Sequence, residues 1–308
     1  MKIIALVPVK NEEWILPTYI SSMKKIADEI IVLDDNSTDS TPTILKEHNI
    51  TVISPLENNQ VDMSAKRIEL LEEGRKRGGT HFIWLDTDES FNTEFLKNGR
   101  KRIEKLTKGQ KLSLAWITLW KSTNQERLDS VWKENYKDVI VCDSPEYTFE
   151  KRTLSEGRTQ GPNTDLTQVS KEEGVILHFQ FTSFNDAQAK QAWYRCIELS
   201  EKKKSARRIN HTYSIGLETP EVIVQNTPQE WFTGIEIPKQ ESNKASWYIK
   251  EIRKMFDAKG TLFFEALDIW HIPELNNTFV STHGRQPKPK RYPKWLIILN
   301  AFKNSLKK

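Results

Sequence analysis

Two carboxylates one residue apart, Asp86 and Asp88, close the apolar run Phe82-Ile83-Trp84-Leu85. Along an extended chain residues i and i+2 point to the same side, so both acids can address one point in space. Two such charges repel each other unless a cation lies between them. Mg2+ and Mn2+ suit that place, because either ion takes one or two protein carboxylates together with phosphate oxygens of a substrate. Alone, Asp86-Thr87-Asp88 reads more simply as an acidic turn ahead of a helix. Two further polar segments change the reading: Lys10-Asn11-Glu12 after Val7-Pro8-Val9, and Asp34-Asp35-Asn36-Ser37 after Ile30-Ile31-Val32-Leu33.

The apolar runs must present these acids. Lys2–Val9, Glu29–Leu33, Thr51–Ser54 and Thr80–Leu85 have the near-continuous apolar character of strands covered on both faces. Between them, a helix is predicted from Pro17, striped by Tyr19, Ile20, Met23 and Ile26. A second is predicted from Thr41-Pro42, and a third is striped by Ala65, Ile68 and Leu71 and ends in Gly74–Gly79. This alternation predicts an α/β fold with an open, mostly parallel sheet and right-handed crossovers. Ligands of such sheets bind outside the carboxyl ends of the strands. Pro8–Glu12, Asp34–Ser37 and Asp86–Glu89 all fall there.

In these three segments the chain resembles the family 2 glycosyltransferases of GT-A fold. The matching stretches are Val7-Pro8-Val9-Lys10-Asn11-Glu12, the run from Ala27 to Thr41 that contains Asp34-Asp35-Asn36-Ser37-Thr38-Asp39, and Leu85-Asp86-Thr87-Asp88-Glu89, the family's Asp-x-Asp. The resemblance implies a Rossmann-like GT-A sheet flanked by helices, with a helical and irregular C-terminal extension. It also implies a metal-dependent, inverting transfer of a sugar from a nucleotide-diphosphate sugar, a UDP-sugar first, to a hydroxyl of a saccharide or glycolipid. Pro8, Val9, Asn11 and Glu12 would line the nucleotide pocket, and Asp35 would bond the base. Asp86 would reach ribose or metal, and Asp88 the metal directly. A basic residue after Met63 meets the nucleotide in this family; Lys66 and Arg67 both fit. A carboxylate at position 35 accepts the ring N–H of a pyrimidine imide, which adenine does not present. His178, at the end of the apolar Val175–Leu177, matches the late histidine that many GT-A enzymes bring to the metal or diphosphate, and its nitrogen favours Mn2+ over Mg2+.

The general base of an inverting transfer is expected from the polar segment Trp132–Gly161, which also carries Arg152 and Arg158. Asp143, after the apolar Val139–Cys142, is the first candidate and Glu146 the second. The family's common Glu-Asp base is missing. So is the Gln-x-x-Arg-Trp motif, which argues against a processive synthase.

Composition bounds the rest. The 308 residues include 37% hydrophobic and 29% charged side chains, with a net charge of +4. The basic excess lies largely after Gly284, so no basic–aromatic interleaving through the fold marks a nucleic-acid binder. Cys142 and Cys196 have neither disulfide density nor metal spacing, which points to a reducing, cytoplasmic compartment. Ile3–Val9 meets Lys10-Asn11-Glu12-Glu13 at once and reads as a strand, not a signal peptide. No apolar run approaches the ~20 residues that span a bilayer. Ser183–Lys204 is the clearest helix, with Ser183 and Asp186 as a capping signal, Ala189, Trp193, Cys196 and Ile197 as apolar face, and Lys190 and Arg195 on the polar face.

The expected organisation is a GT-A domain over residues 1–208, an extension over 209–284 packed on it, and a basic linker with a terminal helix over 285–308. In that helix Trp295, Leu296, Leu299, Phe302 and Leu306 share one side among lysines, a pattern suited to an anionic membrane surface or to docking on the protein itself. A sugar nucleotidyltransferase is the alternative function. It needs a glycine-rich phosphate loop after the first strand, and the first glycine here is Gly74. A non-catalytic nucleotide-sugar-binding module is the other alternative.

Overall fold

The computed structural model describes residues 1–56, 63–149, 159, 166–202, 204–214, 216, 222–238 and 244–291. Arg152, Arg158, the Gly161-Pro162-Asn163 loop and the terminal helix expected over 295–306 lie outside the described residues. Among the described residues, no helix is long and apolar enough to cross a membrane.

The chain divides into two compact units, Met1–Thr182 with Ile223–Glu241, and Ser183–Val222 with Ser242–Lys308. In the first, the strands are β1 (Ile3–Val9), β2 (Glu29–Asp34), β3 (Thr51–Ile53), β4 (His81–Ile83), β5 (Glu89–Phe91), β6 (Lys111–Thr118), β7 (Gln125–Arg127), β8 (Tyr136–Cys142), β9 (Leu166–Gln168), β10 (Val175–His178) and β11 (Val224–Asn226). Its helices are α1 (Leu16–Met23), α2 (Thr41–Glu47), α3 (Met63–Lys76), α4 (Thr93–Asn98) and α5 (Arg100–Ile103). The main sheet runs β3-β2-β1-β4-β8-β6-β10-β5, with β9 beside β6. The expected parallel β3-β2-β1-β4 half is present, and β6 and β10 continue its direction. The result is the expected α/β fold with a mostly parallel sheet between helices.

Burial explains the layers. Ile3, Ala5, Val7 and Val9 alternate onto the face covered by Leu16, Tyr19, Ile20 and Met23 of α1. Ile4, Leu6, Ile31 and Leu33 face Leu70 and Leu71 of α3. On α3 the buried stripe is Ser64, Lys66, Arg67, Leu70, Leu71 and Gly74, while Ala65 and Ile68 are half-buried. Glycine is needed at 79, where a Cβ would meet Phe82 at 2.6 Å and the Gly74 carbonyl at 2.9 Å. Residues 223–238 wrap the same unit: β11 pairs with β7, Thr18 donates to the Glu236 carbonyl at 2.6 Å, and Thr93 donates to the Trp231 and Thr233 carbonyls.

The second unit holds α6 (Phe184–Ser200), α7 (Ala206–Ser214), α8 (Lys244–Lys259), α9 (Thr261–Phe264) and α10 (Pro273–His283). Ala189, Ala192 and Cys196 of α6 share a core with Tyr248, Ile252, Phe256, Phe264, Trp270 and Phe279. The division thus falls before α6, whereas the sequence reading placed it after residue 208. Asp186 does not cap α6; it accepts from the Ala245 amide at 2.6 Å and ties the start of α8 to α6. Arg195, expected on the solvated face, is fully buried. Both cysteines are free.

Strand β8 corrects the base assignment. It runs antiparallel to β4, with Cys142 opposite His81. Its end therefore lies at the edge where the parallel strands begin. Asp143 donates its amide to the carbonyl of Thr80, ahead of β4. Its carboxylate accepts from Arg75 Nε at 2.9 Å and Nη2 at 2.8 Å. Glu146 follows, exposed, its carboxyl held low by its own backbone amide and the Ser144 hydroxyl. Neither acid is brought to Asp86 and Asp88. The Arg75–Asp143 fork is partly open to solvent, so Asp143→Ala should cost about 1 kcal/mol, or a midpoint lower by roughly 2–4 °C. Nucleotide binding by that variant, measured calorimetrically, should equal the parent's.

Candidate functional site

Two loops are clasped at the carboxyl ends of β1 and β2. Val9 lies opposite Asp34, and the Asp35 amide donates to the Val9 carbonyl at 2.9 Å. Asn11 and Asn36 take left-handed backbone, at φ 53° and 57°, a conformation asparagine tolerates better than most residues. The Asn11 amide donates to Ser37 Oγ at 2.8 Å, and Asn11 Oδ1 accepts from the Thr38 amide at 2.8 Å. The Glu12 amide donates to Thr41 Oγ1 at 2.9 Å, and its carboxylate accepts from Trp14 Nε1 at 3.1 Å. Asn11 is thus a strut between the two loops. Pro8 and Val9 are the last residues of β1, with Val9 in the core.

Next come two acid–base pairs. Asp35 Oδ2 accepts from Lys66 Nζ at 2.9 Å and from Lys10 Nζ at 3.4 Å. Lys10 also donates to the Asp35 carbonyl at 2.8 Å. Burying Lys66 and Asp35 this deeply requires each other's charge. Arg67 Nη2 lies 3.7 Å from Asp86 Oδ1. The sequence left Lys66 and Arg67 as alternatives for meeting the nucleotide; the structure sets one beside each acid. The Asp86 side chain remains 42% exposed, against 6% for Asp35.

The third group forms where β5 meets β10. Their antiparallel register puts His178 opposite Glu89, and the Phe179 amide donates to the Asp88 carbonyl at 2.8 Å. His178 Nε2 is then 3.7 Å from Asp88 Oδ2. That gap is too long for a hydrogen bond and wide enough for an ion that both atoms share. Asp86 faces Arg67, and among the described residues no set of three His, Cys, Asp or Glu side chains closes on one point. Of the expected trio, Asp88 and His178 are thus brought together, while Asp86 lies beside Arg67. Two ligands fit a Mn2+ or Mg2+ ion that completes its shell with phosphate oxygens and water.

Glu89, Trp116 and Lys10 carry roles that the sequence reading did not assign. Buried Glu89 accepts from the Asp86 amide at 3.0 Å and from Trp116 Nε1 at 2.6 Å. The Trp116 ring stacks on His178 with centroids 4.2 Å apart. Among the described residues His178 Nδ1 has no hydrogen-bond partner, so the indole sets the ring plane. Glu89 was signalled by its place directly after the acidic pair. Trp116 was not, because its alternation in β6 marks only a sheet face.

A search of curated proteins finds no match. Solved structures similar to the chain include S. aureus TarS, with a TM-score of 0.43 and 18% identity, covering 70% of this chain and 43% of that one. S. aureus TarS 1-349 in complex with UDP-GlcNAc gives 0.42 and 16%, covering 87% and 84%. Glucosyl-3-phosphoglycerate synthase from Mycobacterium tuberculosis with Mn2+, UDP and glucosyl-3-phosphoglycerate gives 0.24 and 26%, covering 29% and 34%. The chain thus spans less than half the length of the full TarS chain and about a third of the synthase. The family model for glycosyl transferase family 2 matches residues 4–185, which include every acid and base of the site just described. The chain belongs to glycosyl transferase family 2.

Proposed function

We propose that this protein transfers a sugar from a nucleoside diphosphate sugar, a UDP-sugar first, to a hydroxyl of a saccharide or glycolipid. The observation that carries the reading is the alignment of three acid–base pairs on one sheet edge: Asp35 with Lys66, Asp86 with Arg67, and Asp88 with His178. Their order suits the groups of such a donor. Lys66 and Lys10 both reach Asp35 Oδ2, which leaves Oδ1 to accept the ring N–H of uracil. The open Asp86 carboxylate suits ribose hydroxyls, and Arg67 adds fixed positive charge for the diphosphate. Asp88 and His178 would hold Mn2+ or Mg2+. Bound there, the ion neutralises charge developing on the departing nucleoside diphosphate. The acceptor hydroxyl attacks the anomeric carbon from the opposite face, with inversion. Asp143 and Glu146, at the far edge, are not proposed as its base.

UDP release from UDP-sugars, with Mn2+ and after chelation, tests the reading. Asp88→Asn and His178→Ala should each lower kcat on the order of 10²–10³-fold, and chelation should do the same to the parent. Turnover by Asp88→Asn equal to the parent's would end the metal assignment. Lys66→Met should instead raise KM for the donor by about tenfold with little change in kcat, the signature of lost uniform binding. A kcat loss without a KM change would place Lys66 in the chemical step.

A further inference from the structure

Arg195 of α6 belongs to the second unit, and its side chain is fully buried. Among the described residues, none of its three guanidinium nitrogens has a hydrogen-bond partner. A guanidinium brings five N–H donors, and a charge buried without an acceptor is among the costliest states a side chain can adopt. Its surroundings leave it so. The Tyr213 ring centroid is 5.6 Å from Cζ, but the Tyr213 hydroxyl donates to Glu198, whose carboxylate is also held by Lys204. Asp268 attracts Arg195 at a distance, yet both its oxygens accept from Arg291, at 3.1 and 3.0 Å. Burial accordingly lowers the Arg195 pKa to about 10.

A second unmet group lies one helical turn earlier. Gln191 precedes Arg195 by four residues, which puts both on one face of α6. Gln191 is buried, and among the described residues its Oε1 has no donor. Gly216 packs against the amide, where a Cβ would come within 1.6 Å of Gln191 Nε2. Donors lacking an acceptor and an acceptor lacking a donor thus fall on one helix face, a turn apart. One molecule answers both, an oxyanion that also carries a hydroxyl, and the guanidinium fork matches phosphate geometry.

We propose that Arg195 and Gln191 form a phosphate site in the second unit. Arg195 binds the phosphoryl oxygens, and Gln191 Oε1 accepts from a P–OH or a neighbouring hydroxyl. The occupant is inorganic phosphate or the phosphoryl end of a small hydroxylated ester. The site is independent of the transfer chemistry assigned to the first unit.

The test melts the full chain in phosphate-free buffer, then with inorganic phosphate, with glycerol phosphate, and with chloride at matched ionic strength. The parent should melt about 2–5 °C higher with phosphate than with chloride. A larger rise with glycerol phosphate identifies an ester, and a rise with inorganic phosphate alone identifies the free anion. Gln191→Glu, which sets a carboxylate one turn from Arg195, should melt above the parent in phosphate-free buffer and lose the response. Arg195→Met should also lose it while melting no lower than the parent. A parent that melts alike in all three salts overturns the proposal. So does an Arg195→Met chain that keeps the phosphate response.

Discussion

The buried carboxylate of Glu89 is the constraint on which the site depends. A charge so enclosed is tolerable only when its oxygens are bonded. One accepts from the Asp86 amide and the other from the Trp116 indole. The first bond fixes the turn that carries Asp86 and Asp88. The second fixes the ring against which His178 lies. Because β5 pairs with β10, Glu89 also faces His178 across the sheet. The two proposed metal ligands, far apart in the chain, thus take their separation from one side chain and one strand register.

The charges along this edge follow a common logic. Each acid that would meet the donor already has a basic neighbour, so none is left as an isolated charge. The pairs differ in openness. Asp35 is locked by two ammonium groups in the clasp of the first two loops, whereas Asp86 keeps much of its surface in solvent. Rigidity is greatest where a base would be recognised, and openness greatest where ribose and phosphate would enter.

Much of this was legible in the sequence because it is local. Apolar runs ending in Asn11-Glu12, Asp34-Asp35 and Asp86-Thr87-Asp88 need only strand periodicity and the crossover rule to converge. His178 was marked by its place at the end of an apolar strand together with the resemblance to the family. Asp143 shows where that logic fails. It also ends an apolar strand, but strand direction is set by pairing partners, and β8 enters the sheet antiparallel. Arg195 fails for another reason: helical spacing sorts residues by polarity, and an arginine turned inward violates the rule it is read by. The division before α6 was hidden because apolar spacing does not say which core a helix joins. Glu89 stood out directly after the acidic pair, but its role became visible only with the cross-sheet bond from Trp116.

The most direct test of the account is anomalous scattering from manganese in crystals grown with UDP and Mn2+. The account predicts one strong peak bonded to Asp88 Oδ2, His178 Nε2 and diphosphate oxygens, with the uracil against Asp35. A peak elsewhere, or UDP bound with Asp88 and His178 both unengaged, would contradict it.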